Sequence, residues 1–119
     1  MRRDPGVVLA RLLLASVFVV MGAYRLLAAY QGAAIPNSTL VFSAVELALG
    51  LLIAIGWKLR LTASLAAALM LADAVLSHRF WAVPDPERGA QLLHFMKNIN
   101  IVGGLLLLAV VSGHKSRRL

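Results

Sequence analysis

Apolar residues fall along this chain in four long runs, separated by short polar stretches rather than by strict alternation. The runs cover about residues 7–29, 39–56, 61–77 and 92–111. A helix that crosses the hydrocarbon core needs about 20 mostly apolar residues, with about 17–25 tolerated. Each run therefore predicts one membrane-spanning helix. The third is short, rich in alanine and carries Asp73 near its end, so its insertion leans on its neighbours.

The connections agree with four spans. Residues 31–38 contain Gly32, Pro36 and Asn37, which end one helix and start the next, with Asn37 or Ser38 as the expected N-cap. Trp57-Lys58-Leu59-Arg60 reads as a tight basic turn. The longest loop, residues 78–91, holds Pro84-Asp85-Pro86, a turn signal. The expectation is one transmembrane domain over residues 1–119, an all-α antiparallel four-helix bundle. Arg2 and Arg3 ahead of an apolar run also suggest a signal peptide. Asp4 and Arg11 interrupt that pattern, and the run exceeds the usual core of about 7–15 residues, so a retained first span is expected.

Charge sets the orientation. Arg2, Arg3, Lys58, Arg60, Lys115, Arg117 and Arg118 fall on one side; Arg79 and Arg88 fall on the other, diluted by Asp85 and Glu87. Lys and Arg flanking membrane spans concentrate in the cytoplasm, so both termini are expected there, in a bacterial inner membrane. The net charge of +7 belongs to this anchoring pattern, and nucleic acid is set aside as a partner. The lipid bilayer is the partner that 61% hydrophobic residues demand. With no cysteine, the chain has no disulfide framework, thiolate metal site or thiol–disulfide chemistry.

One residue breaks the apolar pattern most sharply. Glu46 lies mid-span, with no other charge between Leu26 and Trp57. Ten Leu, Ile, Val and Phe side chains surround it between Leu40 and Ile55. They contribute about −3 to −6 kcal/mol of insertion free energy against about +3 for a central carboxylate, so the helix inserts and carries an acid that needs a partner.

Other polar groups share its depth. At about 1.5 Å per residue, Arg25 and Asp73 lie about one turn from the outer ends of their helices and Glu46 about two. On the fourth helix His94, Lys97 and Asn98 share a face by their i, i+3, i+4 spacing, flanked by Asn100. Arg25, Glu46, Asp73, His94, Lys97 and Asn98 are thus the candidate ligand-binding residues, around a small polar pocket in the outer half. Structural readings compete for each. Arg25 can snorkel to the outer headgroups, Asp73 and Lys97 can form an interhelical clamp, and Asn98 and Asn100 can bridge helices. His94 can be a solvated helix-end residue, and Arg11 can reach the cytoplasmic phosphates. Glu46 is too deep to snorkel; it pairs with Arg25 or Lys97, or is carried as the neutral acid. No two His or carboxylates show a tight metal-ligand spacing, and no metal is expected.

Several of these pieces form a sequence of motifs: Arg11 in the first helix, Glu46-x-x-x-Gly50 in the second, and Lys97-Asn98 ahead of Gly103-Gly104 in the fourth. In order and spacing the chain resembles the DoxX family of small four-helix bacterial inner-membrane proteins over nearly its whole length. The resemblance implies a subunit or accessory of a quinone-linked redox or oxidative-stress system, with redox partner proteins and, as an option, a homo-oligomer. Lys97 and Asn98 would then donate to quinone carbonyls and Glu46 would supply a proton. The alternatives are a small-solute or ion permeation protein, or a structural assembly factor without ligand. Catalysis by this chain alone is not implied.

Overall fold

The computed structural model describes residues 4–118, with side chains through residue 113. It contains four α-helices, α1 (Pro5–Tyr30), α2 (Asn37–Ile55), α3 (Leu59–Ser77) and α4 (Glu87–Arg118), with a 3-10 turn at Phe80–Ala82. All four helices are long and apolar enough to cross a membrane. The fold is an all-α four-span membrane bundle.

Local chemistry explains the helix ends. Asp4 accepts the Gly6 N–H at 2.8 Å and Pro5 takes the first helical position, where a missing N–H costs nothing. Pro36, rather than Asn37 or Ser38, holds the N-cap position of α2; its carbonyl accepts the Leu40 N–H at 3.0 Å, without a side-chain cap. α2 ends on Gly56 in the left-handed region (φ 82°), which glycine adopts without a steric penalty. Lys58 follows at φ 42°, so α2 and α3 are joined by a turn of residues 56–58. α4 begins at Glu87, ahead of the apolar run that starts at Leu92. Hydropathy marks the hydrocarbon zone, whereas a helix can extend beyond it wherever its backbone is satisfied.

The bundle is built from two hairpins. α1 packs chiefly on α2 and α3 chiefly on α4; α2 and α3 join the halves, and α1 touches α4 least. Phe18, Ile53 and Leu105 are fully buried at the centre. At one end Arg11 Nη2 donates to the Ala54 carbonyl at 3.2 Å, and the Arg60 stem lies against Gly113. The starts of α1 and α3 therefore share that end with the ends of α2 and α4. We call it the inner end, following the Lys/Arg excess.

Candidate functional site

The outer half gathers the polar side chains into two groups. On the first hairpin, Gly22 and Gly50 let α1 and α2 approach closely; a Cβ on Gly22 would stand 2.8 Å from the Ser43 carbonyl oxygen. Above this contact Arg25 Nη1 donates to Glu46 Oε1 at 2.7 Å. Glu46 is 3% exposed and Arg25 30% exposed, so the acid is sealed and the cation reaches outward from it. The Arg25 guanidinium lies 6.0 Å from the centroid of the Phe42 ring. This ion pair is one of the two pairings open to Glu46 on sequence grounds, and it decides between Arg25 and Lys97.

On the second hairpin, Ala63, Ala66, Ala67 and Ala74 bury a small-residue face of α3 against its neighbours. Asn98 is buried beside it and donates from Nδ2 to Asp73 Oδ2 at 2.8 Å and to the Met70 carbonyl at 3.4 Å. The expected Asp73–Lys97 clamp is absent. Lys97 is exposed on α4 and pairs with no acid among the described residues. The reason is rotational: neighbouring helix positions differ by about 100°, so packing Asn98 onto α3 turns Lys97 away from it. Their shared face, inferred from spacing, splits into one buried and one exposed position.

A third cluster continues outward. His78, which closes α3, places Nε2 3.5 Å from Asp73 Oδ2 and Nδ1 2.9 Å from Gln91 Oε1. The His78 ring thus bridges Asp73 on α3 and Gln91 on α4. His94 stacks on His78 with ring centroids 5.1 Å apart. His78 and Gln91 were not among the sequence candidates, because the loop between them hid their proximity. The one available signal was Gln91 three residues before His94 on a helical face.

Between the two hairpins lies a cleft of about 580 Å³. Arg25 and Phe42 form one wall, and Asp73, His78, Leu69 and Leu76 the other. Glu46 positions its arginine from behind, and Asn98 positions its aspartate; neither is part of the lining. Ser43, fully buried one turn before Glu46, has a hydroxyl with no hydrogen-bond partner. Among the described residues, no three His, Asp or Glu side chains could share a metal ion. The cleft can therefore offer hydrogen-bond donors from Arg25, an acceptor in Asp73 and the His78 ring, beside apolar side chains.

Comparison with known proteins decides the family. The SURF4 family profile matches residues 7–116. The chain belongs to the SURF4 family. This overturns the DoxX assignment. The motifs that suggested it are single charges, small residues and a Lys-Asn pair, which many small membrane bundles need for packing and charge compensation. The family profile weighs every position from 7 to 116, whereas the resemblance rested on a few motif residues.

Two relatives in Escherichia coli (strain K12) bear on location. Inner membrane protein YphA is 28% identical over 111 residues, covering 86% of this chain and 79% of the relative. Inner membrane protein YqjF is 34% identical over 115 residues, covering 90% and 84% respectively. No solved structure matches. With its four apolar helices, this SURF4-family member is a multi-pass inner-membrane protein.

Proposed function

We propose that this SURF4-family chain is a ligand-holding membrane subunit whose outer-half cleft receives the headgroup of a lipid-soluble quinone for a redox partner. One observation carries the reading: Arg25, Asp73 and His78 line one cleft together with Phe42, Leu69 and Leu76. A quinone is a flat apolar ring with an oxygen at each end. Arg25, held by Glu46, has guanidinium N–H groups to spare for one oxygen. At the other end, the Asp73 carboxylate, with His78 beside it, accepts a quinol hydroxyl. The chain would bind and orient the headgroup and take up protons, while electrons pass to the partner.

Permeation through one protomer is less well supported. Among the described residues, the largest fully buried side chains, Phe18, Ile53 and Leu105, are apolar.

The test is purification in mild detergent with chemical quantification of co-purified quinone. Wild type should retain quinone, and His78→Ala and Asp73→Asn should lose it while remaining folded. A wild-type protein that carries phospholipid but no quinone would refute the reading.

A further inference from the structure

A second cleft, of about 550 Å³, lies at the opposite end of the molecule, between the α2–α3 turn and the end of α4. Lys58, Arg60, Ser64 and Ser112 line it together with Leu59 and Leu61. Neither cation forms a salt bridge with an acid among the described residues. A Cβ on Gly113 would stand 2.9 Å from the Arg60 Cδ and 3.1 Å from its Nε. The exposed Arg60 stem thus lies directly over Gly113, where the absence of a side chain lets it approach α4. Lys58 occupies the left-handed region at φ 42°, a conformation that glycine or asparagine adopts far more readily. Its ammonium lies 5.2 Å from the Trp57 ring centroid, at the level where aromatic side chains mark a membrane–water boundary.

We propose that this inner cleft binds a phosphate group, supplied by an anionic phospholipid headgroup. An arginine fork matches phosphate oxygens in a bidentate fashion, and a lysine adds a point charge. The Ser64 hydroxyl already donates to the Arg60 carbonyl at 2.6 Å, so Ser112 is the hydroxyl with a proton to offer. Leu59 and Leu61 line the same cleft, and exposed Leu61 gives an acyl chain an apolar surface. That amphiphilic lining favours a lipid over a free anion. The site is independent of the outer cleft, and it stands or falls separately from the quinone reading.

The experiment titrates phosphatidylglycerol, phosphatidylcholine and inorganic phosphate separately onto delipidated full-length protein, with native mass spectrometry counting bound molecules. Wild type should bind one phosphatidylglycerol in preference to phosphatidylcholine. Arg60→Gln should weaken this about fivefold, the loss expected for one basic residue at an anionic headgroup. Gly113→Ala leaves the charge unchanged but displaces the Arg60 stem from the α4 surface, and it should weaken binding by less than Arg60→Gln does. Lys58→Gly relieves the backbone conformation, so it should keep or raise the melting temperature while lowering affinity. Phosphatidylglycerol retained against excess inorganic phosphate identifies the lipid as ligand; saturable binding of inorganic phosphate with displacement of the lipid identifies a free anion and overturns the lipid assignment. Should Gly113→Ala fail to fold, Arg60→Lys serves in its place, since it keeps the charge and loses the fork. Wild-type affinity in Arg60→Gln would remove Arg60 from the site, and wild-type affinity in Arg60→Lys, which keeps the charge and loses the fork, would reduce the cleft to diffuse surface charge; either overturns the proposal.

Discussion

The two hairpins solve the same problem differently. Each must bring two apolar helices together in a solvent that offers no hydrophobic drive between them, and each carries an acid in its outer half. The α1–α2 hairpin closes through Gly22 and Gly50 into near-backbone contact and gives Glu46 a full countercharge. The α3–α4 hairpin closes through alanines and gives Asp73 only the neutral amide of Asn98 and the edge of His78. Exposure explains the difference. Glu46 is 3% exposed, where an uncompensated charge is costly; Asp73 is 21% exposed, at a cleft where water or a ligand completes its solvation. Glu46 is committed to its ion pair, and Asp73 lines the cleft.

The strongest way to break this comparison is to remove the countercharge. Arg25→Gln leaves Glu46 sealed and unpaired and should cost about 3 kcal/mol or more of bundle stability. Adding Glu46→Gln should recover much of that loss, because contacting partners are non-additive. Unfolding of the singles and the double in detergent decides it; strictly additive effects would mean that the pair contributes no coupling.

Next comes the close approach. A Cβ on Gly50 would stand 2.7 Å from the Phe18 Cβ, so Gly50→Ala should destabilise by about 1–3 kcal/mol through overpacking. Nothing lies within 4 Å of a Cβ placed on Gly103, and Gly103→Ala should leave the melting temperature unchanged or raise it. Equal responses at the two glycines would contradict the packing described.

The second hairpin should respond least. Asp73→Asn keeps a carbonyl oxygen for the Asn98 amide, so about 1 kcal/mol or less of stability is at stake, in line with interhelical hydrogen bonds in membranes. Ligand retention in the outer cleft should fall much further than stability does. Lys97→Gln, on an exposed face, should change stability by less than about 0.5 kcal/mol. A large loss on Lys97→Gln would restore a structural role for that lysine.

Four spans, their order and the inner-membrane location were legible because each depends on sums over a local window. Leu40 to Ile55 insert with Glu46 aboard whatever the other helices do. The need of Glu46 for a partner was legible for the same reason: burial of a charge is costly wherever its helix sits. Which partner it takes was not. Arg25 and Lys97 were both at suitable depth, and the glycine contact between α1 and α2 gave the place to Arg25. Asp73 shows the complementary case. Lys97 and Asn98 are adjacent in the chain and nearly equal in depth, but the rotation of α4 on the alanine face of α3 turns one inward and the other out. His78 and Gln91 meet only because the loop between α3 and α4 folds back on itself. Sequence determines how deep a side chain lies, since depth accumulates along one helix. Direction and partnership belong to the tertiary structure, because they depend on how helices distant in the chain are turned against one another.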